Sequence, residues 1–189
     1  LLAMALPLIA AGLALGTAIA LDGLLSHVMQ MASFSSQLSL LIGLGVGVDY
    51  ALFILTRYRQ GLLRGLSSEE AVVESVDTSG RAVLFAGMIV CIAMLGMIAL
   101  GVSFLYGVAV AASIAVGFTV LAALTLLPAL LGFFGTKVLR RRERRALRAG
   151  EFRTNDESPA WARWTGWMEQ RPAVYAVAAA LVMVLLLSL

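Results

Sequence analysis

The sequence predicts an all-α fold, a polytopic transmembrane helix bundle, and three observations carry that prediction. Apolar residues make up 61% of the chain and charged residues 13%, where a water-soluble domain carries roughly 45 to 50% and about 25%. Stretches free of Lys, Arg, Asp and Glu recur at about the 20 residues needed to cross a hydrocarbon core of roughly 30 Å. The basic residues, finally, are confined to two of the connections between those stretches.

Five apolar runs fit the membrane: 1–21, 38–56, 82–100, 104–134 and 173–189. The first contains Pro7, which removes a backbone donor and is tolerated in a membrane helix when neighbours compensate. The fourth is longer than one span requires, and Pro128 is expected to kink or end it. The span is therefore set at 104–128, with 130–134 as an interfacial tail. The fifth is short and stops at the chain end. With no Met at its start and an apolar run at its close, the chain reads as a piece of a longer protein.

The connections are assigned by charge. Arg57, Arg59, Arg64 and Arg81 flank or occupy one connection, and the other ten basic residues, from Lys137 to Arg171, occupy another. Lys and Arg accumulate in cytoplasmic loops close to spans. Residues 57–81 and 137–172 are thus expected inside, and 22–37 and 101–103 outside. The net charge of +3 belongs to this asymmetry and does not mark a nucleic-acid surface. The domain division that follows is a four-span bundle over 1–136, a charged cytoplasmic linker over 137–158, an interfacial Trp-rich helix over 159–171, and a fifth, truncated span over 173–189.

Local signals refine the connections. Ser67 and Glu70 form an S-x-x-E capping box ahead of Ala71, Val72, Val73 and Val76, so a short amphipathic helix is expected there. Asp77, Thr78, Ser79 and Gly80 are expected to break it before Arg81 opens the third span. Gly107, Ala111 and Ala115 make a small-residue stripe on the fourth span, a packing feature. Ser158 and Pro159 offer a cap and first turn for a helix bearing Trp161, Trp164 and Trp167, a stripe suited to the membrane interface. Residues 137–157 have too few apolar positions to build a core and could touch anionic headgroups.

Chemistry concentrates in the second span, LSLLIGLGVGVDYALFILTRYRQ from Leu38 to Gln60. Between Leu38 and Thr56 its one charge is Asp49. A carboxylate near the bilayer centre costs about 2.5 to 3.5 kcal/mol on insertion scales, and such residues face the bundle and mark ion or proton pathways. An interhelical hydrogen-bond anchor is the structural alternative. Without a fixed cation, burial favours the neutral acid and brings proton exchange into the physiological range. Tyr50 adds a hydroxyl beside it. Gly43 and Gly47 make a GxxxG and Gly45 lies one turn from Asp49, so the glycines strip side chains from the helix just outward of the acid and another helix can come close.

No other constellation competes. His27, beside Asp22 and two methionines in the outward connection, lacks the convergent ligands of a metal site. No Walker loop and no nucleophile triad is present, so neither a metal, nor another cofactor, nor an enzymatic activity is implied. The lone Cys91 lies in an apolar run and leaves the redox compartment open.

GLGVGVDYALFILTRYRQ, the TSGRAV run at 78–83 and the TLLPALL run at 125–131 together resemble the MMPL (mycobacterial membrane protein large) family of RND-superfamily transporters. The resemblance implies that the five spans are helices three to seven of a protein with two six-helix halves, an RND-type bundle of which this is a part. It implies export of lipids or other hydrophobic molecules across the bacterial plasma membrane, driven by the proton motive force. The partners are then membrane lipids, the hydrophobic substrate, and a second half not contained here. In the family an Asp-Tyr pair, matched by Asp49 and Tyr50, meets a similar pair from that second half to form the proton relay. A sterol-sensing-type module that binds lipid without pumping shares the same helix arrangement, and a protein-export accessory is a further alternative.

Overall fold

The computed structural model describes residues 2–27, 33–139, 141–149, 163, 165–167, 169 and 172–187. They form eight α-helices: α1 (Leu2–Leu25), α2 (Ser35–Leu63), α3 (Ser68–Ser75), α4 (Arg81–Gly96), α5 (Ser103–Leu124), α6 (Leu126–Phe134), α7 (Arg141–Arg148) and α8 (Pro172–Leu187). No strand occurs among the described residues. Four helical stretches are long and apolar enough to cross a membrane: Ala5–Leu25, Ser35–Leu63, Ser68–Leu100 and Ser103–Val138. The chain is an all-α, polytopic membrane bundle.

The centre of that bundle is α5, which packs against α1, α2 and α4. Small residues make this possible: Gly107, Ala109, Ala111, Ala112 and Ala115 are all buried. With no hydrophobic driving force between helices in lipid, close backbone approach and dispersion hold the bundle together. Gly87 of α4 likewise lies directly against Val120 of α5. By contrast Leu84, Phe85, Ile89 and Ile92 of α4 face outward, as suits a surface solvated by hydrocarbon.

Helix ends follow local chemistry. The capping box closes in full: Glu70 N–H donates to Ser67 Oγ at 3.2 Å, and Ser67 N–H to the Glu70 carboxylate at 2.9 Å. Gly65, with φ of 93°, turns the chain between α2 and α3, and Gly101, with φ of 71°, ends the 3-10 turn after α4. Both conformations suit a residue without Cβ.

Two expected boundaries differ. Asp77–Gly80 do not break the helix: Val76–Gly80 widen into a π-helical turn that carries α3 into α4. Buried positions there are Ala71, Ser75, Ser79, Gly80, Val83 and Gly87. Downstream, the fourth run breaks at Thr125, three residues before Pro128. Pro128 thereby sits in the first turn of α6, where its missing N–H is one of those a helix start leaves unpaired. Leu127 and Leu131 of α6 are fully buried, so the segment expected as an interfacial tail packs one side against the bundle while Phe133 is exposed.

The charged segment after 137 also contributes to the core. Val138 and Leu139 are buried, and Leu147 of α7 packs against the same apolar cluster. Glu143 of α7 meets the guanidinium of Arg59 on α2 at 2.8 Å. Few apolar positions announce this docking: among the described residues, Val138, Leu139 and Leu147 carry its apolar part. Residues 150–158, and the Trp-rich helix expected over 159–171, lie largely outside the described residues. Within the latter, 165–167 are helical, and Trp167 is exposed. Helix α8 belongs to a separate compact unit; its 16 residues cover about 24 Å at 1.5 Å per residue.

Candidate functional site

The second span is 29 residues long, about 43 Å, and so extends beyond the hydrocarbon core at one or both ends. Asp49 stands 14 residues from Ser35 at one end and 14 from Leu63 at the other. It is therefore at the middle of the helix, the depth at which a carboxylate is most costly.

The helix has two faces. Ser39, Gly43, Gly47, Ala51, Ile54, Leu55, Tyr58 and Leu62 are buried, a stripe turned toward α1 and α5. A Cβ added at Gly43 would lie 2.7 Å from Leu15 Cδ2 and 3.2 Å from Ala115 Cβ. At Gly47 it would meet Thr119 Cγ2 at 3.0 Å, Thr119 Cβ at 3.1 Å and Ala11 Cβ at 3.5 Å. These two glycines bring three helices together. Gly45 does not share their role: a Cβ there meets nothing within 4 Å.

Asp49 lies two residues from both Gly47 and Ala51, about 200° around the helix from each. It consequently opens on the opposite face and is exposed, with Leu41, Leu44, Gly45, Leu52 and Phe53 exposed around it. Among the described residues it makes neither a hydrogen bond nor an ion pair. Tyr50 is turned differently. It is half-buried against the apolar core. Among the described residues no hydrogen bond joins Asp49 to Tyr50. Cys91 Sγ lies 3.6 Å from the Ser113 carbonyl and so links α4 to α5 nearby, while the Ser113 hydroxyl donates to the Ala109 carbonyl of its own helix at 2.7 Å.

An acid exposed at mid-membrane on an apolar face can take up and release a proton, or bind a partner group brought to that face. No group of three or more His, Cys, Asp or Glu side chains converges among the described residues.

Two polar groups escaped the sequence reading. Asp22, assigned to the outward connection, instead belongs to the last turn of α1 and is 2% exposed. Asp49 is therefore not the one acid within the helices of the bundle. Serines at 35 and 39, one turn apart, were the available signal that a polar group packs there. Tyr58 was the second: wholly buried, its hydroxyl donates to the Leu131 carbonyl at 3.1 Å and shares a hydrogen bond with Ser68 Oγ at 2.8 Å.

The model of the MMPL family matches residues 1–175. Membrane protein YdfJ of Bacillus subtilis is 32% identical over 98% of this chain and 25% of its own length. The mycolic acid-containing lipids exporter MmpL11 of Mycolicibacterium smegmatis is 34% identical over 97% of this chain and 19% of its own. A heme uptake protein, MmpL11 of Mycobacterium tuberculosis, is 32% identical over 97% and 19%. The chain thus spans about a fifth to a quarter of these relatives.

Proposed function

The chain belongs to the MMPL family, and from that premise we propose that it is part of the membrane domain of a transporter driven by the proton motive force. The cargo is a lipid or another large hydrophobic molecule, exported across the bacterial plasma membrane. Asp49 and Tyr50 form one half of the proton relay, and the second half of the transporter supplies the other. Transport, not catalysis, is its activity.

One observation carries this reading: the mid-helix acid opens on an apolar face that no other described helix of the bundle covers. Lipid is a poor neighbour for an ionised carboxylate, so the face calls for a protein partner that brings polar groups to it. The length of the relatives leaves ample chain for such a partner. Tyr50, half-buried beside the acid, then offers its hydroxyl across the same boundary. One charge moved through 100 mV is worth about 2.3 kcal/mol, a sufficient stroke for rocking two halves about a fixed site. The relatives named for lipid export and for heme uptake share a bulky, largely apolar cargo, and that common chemistry is the substrate class adopted here.

The test uses the full transporter. Asp49→Asn retains shape but exchanges no proton, and is expected to abolish transport in vesicles with expression and insertion unchanged. Tyr50→Phe is expected to reduce it. Normal transport by Asp49→Asn overturns the relay and favours a packing anchor, since an amide still bridges helices.

A further inference from the structure

Asp22 has no part in the reading above, and its surroundings differ from those of Asp49. The side chain is enclosed between α1 and α2, 2% exposed. Ser39 Oγ lies 3.1 Å from Oδ2, with the Ser36 carbonyl at the same distance from that hydroxyl. Oδ1 has no hydrogen-bond partner among the described residues, nor has Ser35 Oγ, which is equally buried.

Among the described residues no cation pairs with this carboxyl. Helix α1 carries no Lys or Arg, and neither does the connection that follows; His27, five residues on, is exposed. The first half of α2, Ser35–Gly47, has no titratable group, and on the matching half of α5, Ser103–Ala115, Tyr106 is the one such side chain. An ionised carboxylate buried without a counter-charge costs several kcal/mol. A proton on Oδ1 removes that charge and turns an unsatisfied acceptor into a hydroxyl.

We propose that Asp22 is a second proton-binding site, separate from Asp49, whose proton holds the outward ends of α1 and α2 together. The O–H bond forms with a proton from the outward water as the helix ends close over the acid. It breaks when they part, because the carboxylate left behind requires hydration. Ser39 is ten residues from Asp49, about 15 Å along the helix, and lies on the buried stripe while Asp49 lies on the open face. The two acids consequently answer to different neighbours. The proposal uses the outward assignment of 22–37 and does not depend on the relay.

The experiment is a distance measurement on this chain in lipid vesicles. In a Cys91→Ser background, spin labels replace Leu24 on α1 and Leu38 on α2, both exposed, and their separation is followed by double electron–electron resonance between about pH 5 and 9. The expected result is loss of the short-distance population as pH rises, its retention at every pH in Asp22→Asn, and an unchanged response in Asp49→Asn. A separation independent of pH in the parent chain overturns the proposal, and settles it even if Asp22→Asn fails to insert. So does a response that survives Asp22→Asn or disappears in Asp49→Asn. Closure by sodium at high pH, with potassium as control, overturns the proton in favour of a metal cation.

Discussion

The two faces of α2 are built from the same kinds of residue and behave in opposite ways. On one, Gly43 and Gly47 are closed over by Leu15, Ala115 and Thr119; on the other, a Cβ at Gly45 would meet nothing within 4 Å and Asp49 is exposed. Glycine on a membrane helix is thus no guarantee of a packing seam: what decides is whether a neighbour of the right size arrives at that angle. The closed face fixes the bundle. The open face is where the transporter's other half is proposed to act.

Substitutions at these faces test the contrast. The largest effect is expected at Gly47→Val, whose branched side chain must displace the stiff Thr119; overpacking of this kind costs about 1 to 3 kcal/mol. Thermal unfolding of the chain in detergent should show the loss, and Thr119→Ala should recover part of it. Equal tolerance of valine at 47 and 45 would break the comparison. Tyr58→Phe, further along the closed face, is expected to cost about 1 kcal/mol, since it takes one hydrogen bond from the buried Leu131 carbonyl and one from Ser68. The same melting experiment measures it.

A smaller effect is expected where α7 meets α2. Arg59 and Glu143 are partly exposed, with side chains 30% and 15% accessible, and Arg59→Gln should cost less than about 1 kcal/mol. The loss should shrink in concentrated salt. An effect as large as that of Gly47→Val would show that α7 is a structural support and not a light clasp. The smallest is expected at Gly45→Ala, which should leave the melting temperature of this chain unchanged or slightly raised, because alanine favours helix by about 1 kcal/mol and meets no neighbour. In the full transporter the same substitution should slow transport if a helix from the other half seats there. No change in either assay would leave Gly45 without a packing role.

Much of the fold was legible in the sequence, because a hydrocarbon environment imposes length and polarity rules on each span separately. The capping box at Ser67 and Glu70 was equally plain, since all its information lies within four residues. Features that depend on distant contacts were harder to read. The docking of α7 rests on Val138, Leu139 and Leu147 among many arginines, so composition pointed to a linker. Pro128 drew attention to a break that falls at Thr125. Asp22 looked like a loop residue because it closes an apolar run, yet α1 continues one turn further and folds it inward against Ser39. The position of Asp49 in sequence was informative about depth, but the direction it faces followed from the placement of its glycine neighbours.

The π turn at Val76–Gly80 has a consequence for rotational phase. Ala71, Ser75, Ser79, Val83 and Gly87 are buried at intervals of four, and in a regular α-helix each such step advances about 40° around the axis. Four steps would carry the buried line nearly halfway round, leaving α3 and α4 turned toward different neighbours. A π-helical turn closes i→i+5 hydrogen bonds in place of i→i+4, so it takes more residues per turn and winds back part of that drift. The stretch acts like a timing correction between two gears: on its exposed side Asp77 pairs with Arg81 and the Thr78 hydroxyl donates to the Glu74 carbonyl, and removing one residue would rotate the amphipathic helix out of mesh with the membrane helix it extends.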